Sequence, residues 1–191
     1  MIKADISSSL PTNRTLPRQA LVIVVGVALM TLAAKTQVPF WPVPMTLHTM
    51  AVMGFAVTLG PRMACAIFIA YLAAGAAGLP VFSGSPERGV GLAYMMGPTG
   101  GYLAGFLVAS GLVGWMSQSA TLLRRVFAML AGLVVVYAFG MAGLLAFVPA
   151  AKVLSVGIAP FILGDLVKIG VVAAASMVLP KGKASEQADN D

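Results

Sequence analysis

The chain has 191 residues, of which 59% are hydrophobic and only 9% charged, with a mean hydropathy of +0.95. A soluble domain is nearer about 45–50% apolar and about 25% charged, so the composition excludes an ordinary soluble fold and identifies an integral membrane protein. The net charge of +6 does not mark a nucleic-acid binder, because the bases lie in short stretches between apolar runs, where they set membrane orientation.

Residues 1–19 form a polar lead with no expected structure. The first apolar run, 20–34, reads as a span and not a cleaved signal peptide, since the lead is long and no clean A-x-A site follows. Next comes VPFWPVP at 38–44, where Pro39, Pro42 and Pro44 stiffen the chain and Phe40 and Trp41 give it an apolar tip. Proline-rich backbone cannot lie bare in hydrocarbon. This loop is therefore either an aromatic anchor at the interface or a lid over a pocket. His48 follows one turn into the next run and reads as a hydrogen-bonded helix residue.

The second and third runs, 45–59 and 63–79, are separated by Gly60-Pro61-Arg62. A long loop then brings Ser83, Ser85, Glu87, Arg88 and Tyr94 to one surface. No phosphate-binding motif is present: there is no G-x-x-x-x-G-K-[ST], and Gly89-x-Gly91 is followed by Tyr94 where a third glycine would be needed. Any energy for uphill transport must come from a partner or a gradient. The fourth and fifth runs are 101–116 and 126–148, and the region of Pro149 separates the fifth from the sixth, 157–179. The expected organisation is a polar tail at 1–19, a six-helix membrane domain at 20–180 and a polar tail at 181–191.

The bases fix the orientation. With both termini cytoplasmic, the inside holds Lys3, Arg14, Arg18, Arg62, Arg124, Arg125, Lys181 and Lys183, and the outside only Lys35, Arg88 and Lys152. That bias supports six spans, since an odd number would scramble it. Glycines within the spans let helices approach closely, because lipid supplies no hydrophobic drive between them. Cys65, the lone cysteine, reads as an inert small hydrophobe. Nothing has metal-ligand spacing.

Asp165 and Lys168 carry the strongest functional signal. They lie inside the last apolar run, where ionisable groups are costly and mark function. Their i, i+3 spacing puts both on one helix face, about 4.5 Å apart along the axis. If the helix begins at Gly157, Asp165 lies about 12 Å below its end. The pair reads as the polar floor of a small-solute site, with a plain structural salt bridge as the competing reading.

Several motifs together resemble the BioY family of biotin-specific substrate-binding (S) components of energy-coupling factor transporters. They are Pro42-Val43-Pro44-Met45-Thr46, Leu79-Pro80-Val81-Phe82, Gly97-Pro98-Thr99-Gly100-Gly101-Tyr102 with Gly105-Phe106, and Pro160-Phe161 with Gly164-Asp165-Leu166-x-Lys168. The resemblance spans about residues 20–180. It implies an all-α six-helix bundle of S-component type in a bacterial cytoplasmic (inner) membrane, binding biotin from outside without catalysis. Its implied partners are a transmembrane coupling protein and two ABC-type ATPases. It also implies that the 38–44 loop helps close the site and that Asp165 and Lys168 contribute polar contacts. Two departures stand out: His48 occupies a position where family members often carry Gln, and Ala20, Val24, Ala28 and Leu32 break the Ala-x-x-x-Ala docking face of the first helix.

Biotin has an uncharged ureido ring, a thioether ring and an acyl tail ending in a carboxylate. Asp165 can accept ureido N–H bonds and Lys168 can donate, and charge-assisted bonds are the strong ones. Trp41, Phe82 and Tyr94 could cover the ring and tail, Ser83 could add a hydroxyl, and Arg88 could meet the carboxylate, with Lys168 or water as its rival. Which end of biotin points inward stays open. The alternative is a stand-alone secondary transporter of biotin or another small vitamin, against which stands the single acid within the spans.

Overall fold

The computed structural model describes residues 15–38, 42–118 and 121–178. Helix α1 (Thr15–Lys35) leads into two short strands, β1 (Gln37–Val38) and β2 (Met45–Thr46). Helices α2 (His48–Ala76), α3 (Gly91–Met95), α4 (Gly100–Met116), α5 (Leu122–Leu144), α6 (Ala150–Gly157) and α7 (Ile162–Val178) follow. The strands pair antiparallel, with Gln37 opposite Thr46 and Val38 opposite Met45. Helix α1 starts earlier than the apolar run, at Thr15, because Pro17 suits the first turn, where the missing N–H costs nothing.

The long helical stretch α2 is two helices. At Gly60 the backbone takes φ 76°, which glycine tolerates and most residues do not, and Pro61 starts the second arm without an N–H to satisfy. The proof of reversal is a contact between the arms. His48 Nε2 lies 3.0 Å from the Tyr71 hydroxyl, 23 positions later. A straight helix would separate these residues by about 35 Å. The arms 48–59 and 61–76 therefore run antiparallel. Each of the six expected apolar runs contains a helix: α1, the two arms of α2, α4, α5 and α7. Four helical stretches are long and apolar enough to cross a membrane by that measure alone: Leu16–Lys35, His48–Ala76, Leu122–Leu144 and Ala150–Val178. The second of these is the hairpin, the fourth joins α6 and α7 across the turn at 158–161, and Gly100–Met116 is shorter.

Charged residues divide between the two ends of the bundle. Lys35 Nζ donates to the Ser85 carbonyl at 2.6 Å and meets Ser85 Oγ at 3.0 Å. This places the end of α1, the β-hairpin and the 79–90 loop together. At the opposite end Gly114 of α4 abuts Pro61, and Arg125 Nη1 of α5 donates to the Ser176 carbonyl of α7 at 2.9 Å. Arg18, Arg62, Arg124 and Arg125 fall at this second end. Lys35, Glu87, Arg88 and Lys152 fall at the loop end.

Glycine makes the tightest seam. A Cβ on Gly105 would sit 2.8 Å from Val136 Cα, and one on Gly143 would sit 2.9 Å from Gly101 Cα. Helices α4 and α5 thus touch backbone to backbone, as packing in lipid requires. Gly54 and Gly170 are different, with nothing within 4 Å of an added Cβ. Those two serve no close approach between helices.

These distances predict opposite outcomes for two glycine substitutions. Gly105→Ala forces the α4–α5 seam apart and lowers stability by about 1–3 kcal/mol. Gly170→Ala fills open space in a helix and leaves the melting temperature equal or higher. Thermal unfolding of the purified variants in detergent checks both.

Candidate functional site

The last apolar run breaks before it becomes a span. Helix α6 ends at Gly157 and α7 begins only at Ile162, because Pro160 interrupts helical bonding between them. Asp165 lies in the first turn of α7, and its N–H donates to the Phe161 carbonyl at 2.8 Å. It therefore lies about 4.5 Å into its helix, and the expected depth of about 12 Å is corrected. A carboxylate at this position also gains from the positive end of the helix dipole.

Asp165 and Lys168 do share a face and do pair. Lys168 Nζ is 2.8 Å from Asp165 Oδ1, with side-chain exposures of 11% and 7%. The second carboxylate oxygen is taken as well, since the Tyr137 hydroxyl donates to Oδ2 at 2.7 Å. Lys168 makes a further bond to the Thr46 carbonyl at 2.7 Å. An ammonium has three N–H donors, so one remains without a protein acceptor among the described residues. The ion pair is thus buried and satisfied, and it is tied to α5 and to strand β2.

The pair borders a void. A cavity open on one side is lined by both residues. Its walls are Val43, Pro44, Met45 and Thr46 of the hairpin, His48 and Thr49 of α2, and Thr99, Tyr102, Leu103 and Phe106 around the start of α4. Val136 and Tyr137 of α5, with Phe161, complete it. Apolar walls with a few converging polar groups are the usual makeup of a small-molecule site. Some of the polar groups are already committed: the Tyr102 hydroxyl donates to the Gly157 carbonyl at 2.8 Å. The hydroxyls of Thr49 and Thr99 make no hydrogen bond among the described residues, and they line the same cavity.

Four of the other residues singled out from sequence sit elsewhere. Trp41 lies outside the described residues. Phe82, Ser83, Arg88 and Tyr94 do not line the cavity. Phe82 is fully buried, stacked on Tyr94 at 4.7 Å and edge-on to Tyr71 at 5.5 Å. The Ser83 and Tyr94 hydroxyls pair at 2.8 Å. Arg88 reaches across to the Pro42 carbonyl at 3.2 Å. These four form a supporting layer around the loops. Among the direct walls that sequence reading left unassigned are Tyr137, Thr46, Tyr102, Phe106 and Phe161. Of these five, all except Tyr137 stood within the quoted motifs. Tyr137 carried a signal of its own, a lone phenol in the run Val134-Val135-Val136-Tyr137.

Comparison with known proteins fits this geometry. The sequence model of the BioY family matches residues 6–184. The biotin transporter BioY of Thermotoga maritima is 34% identical over 166 residues, covering 86% of this chain and 96% of that protein. The biotin transporter BioY of Rhizobium etli is 38% identical over 150 residues, covering 71% of this chain and 76% of that protein. Among solved structures, the crystal structure of the S-component for biotin from an ECF-type ABC transporter is similar with a TM-score of 0.77 and 25% identity. The match covers 91% of this chain and 96% of that one. With a family match over nearly its whole length and a shared all-α membrane fold, the chain belongs to the BioY family.

Proposed function

We propose that this chain is the high-affinity biotin-binding component of an uptake system and that the cavity beside Asp165 and Lys168 is the biotin site. The observation that carries the reading is the buried ion pair opening onto an apolar void, in a chain related to proteins named as biotin transporters. The Asp165 carboxylate accepts from the ureido N–H groups of biotin. Lys168 offers its remaining N–H, and Phe106, Phe161 and Val43 surround the apolar part. Two adjacent charges in a dry site bind an uncharged but strongly polar ring through charge-assisted bonds, which outlast neutral ones.

The loop end of the bundle faces outside and both termini face the cytoplasm. This orientation is supported by Arg18, Arg62, Arg124 and Arg125 clustering at the opposite end. The membrane is the bacterial cytoplasmic one. The chain has no nucleotide-binding motif, and its energy is supplied by a transmembrane coupling protein and two ABC-type ATPases. The resemblance to an S-component from an ECF-type ABC transporter supports that partnership.

Titration of the purified chain with biotin, with desthiobiotin, thiamine and riboflavin as comparators, tests the ligand. Biotin binds and the other two vitamins do not. Saturation by thiamine or riboflavin with no response to biotin would overturn the reading. Asp165→Asn and Lys168→Ala each weaken biotin binding by about 2–5 kcal/mol, because each leaves a buried charge without its partner. Unchanged affinity in both variants removes the pair from the site. Tyr137→Phe leaves Asp165 Oδ2 short of a donor and weakens binding by about 1–3 kcal/mol, measured by the same titration.

A further inference from the structure

His48 is buried at the first position of α2, and its ring stacks on Phe106 at 5.6 Å between centroids. Both ring nitrogens are engaged. Nδ1 lies 3.3 Å from Thr46 Oγ1, and Nε2 lies 3.0 Å from the Tyr71 hydroxyl. The directions of these bonds follow from the far end. The Tyr71 hydroxyl donates its one hydrogen to the Val81 carbonyl at 3.2 Å. It must therefore accept from His48, so Nε2 carries the hydrogen and Nδ1 is the acceptor. The Thr46 hydroxyl then donates to Nδ1, while its oxygen accepts the His48 backbone N–H at 3.2 Å.

The result is a one-way chain from Thr46 through His48 and Tyr71 to Val81. Its two ends belong to different loops. Thr46 is in strand β2, one wall of the cavity, and its carbonyl holds Lys168. Val81 opens the loop that Lys35 fastens to α1 through Ser85. Neither nitrogen of His48 has hydrogen-bonding capacity left for a ligand, although the ring forms part of the cavity wall.

We propose that His48 is a positioning residue for ligand retention: a neutral imidazole that links strand β2, one wall of the cavity, to the start of the 79–90 loop and so holds that wall in place. Its role in retention rests on the biotin reading above, whereas its role in joining the loops does not. Glutamine offers one acceptor and one donor at similar spacing and can replace it. Leucine offers neither.

The test compares the full chain with His48→Gln, His48→Leu and Tyr71→Phe. In His48→Leu and Tyr71→Phe biotin dissociates about tenfold faster, the effect of one buried hydrogen bond, while association changes little. Hydrogen–deuterium exchange without ligand rises together in segments 42–47 and 79–89 for Leu and Phe, and stays at the unmodified level for Gln. If His48→Leu does not fold, Tyr71→Phe removes the same link with a smaller change. A folded His48→Leu or Tyr71→Phe with unmodified dissociation and exchange overturns the proposal, and so does a folded His48→Gln whose exchange rises like that of Leu. Failure of the unmodified chain to bind biotin overturns the ligand reading alone, because the exchange measurement needs no ligand.

Discussion

The Lys168 ammonium is the junction on which the site depends. It donates to a carboxylate one turn away on its own helix and to a backbone carbonyl in strand β2, far away in sequence. A cation placed in an apolar segment costs several kcal/mol unless it finds such partners. Asp165 in turn needs both oxygens filled, and Tyr137 supplies the second donor. The α7 start, the α5 midsection and the β-hairpin are thus held in one arrangement by a single pair of charges.

The rest of the bundle serves to bring those three pieces together. Gly101, Gly105 and Gly143 let α5 press against α4 closely enough for Val136 and Tyr137 to face the same void as Leu103 and Phe106. Reversal at Gly60 returns the chain so that Tyr71 stands beside His48. From there an aromatic series continues through Phe82 to Tyr94, which packs the loops against helix ends and not against lipid.

Much of this was legible in the residues. The apolar runs located every long helix, and the i, i+3 spacing located the ion pair, because hydropathy and helix period act locally. The proline loop was legible only as a choice between lid and anchor, since what it covers is decided by contacts distant in sequence. The bond from Lys168 to Thr46 falls in the same class: a backbone carbonyl leaves no mark in the sequence. The start of α7 was misjudged because an apolar run shows where a chain can sit in lipid, not where its helical bonding begins. Phe82, Ser83, Arg88 and Tyr94 drew attention as polar or aromatic loop residues. In the structure they bond among themselves and to neighbouring backbone, contacts that composition does not reveal.

The reversal at Gly60 also leaves the molecule uneven in height. Its first arm, 48–59, rises only about 18 Å, while α5, with 23 residues, rises about 34 Å. Hydrocarbon is about 30 Å thick. The second arm, 61–76, rises about 24 Å, so acyl chains beside it compress or bend where those beside α5 need not, at a cost of a fraction of a kcal/mol for each ångström of mismatch. Bilayer thickness therefore becomes one of the forces that sets how far the whole bundle leans.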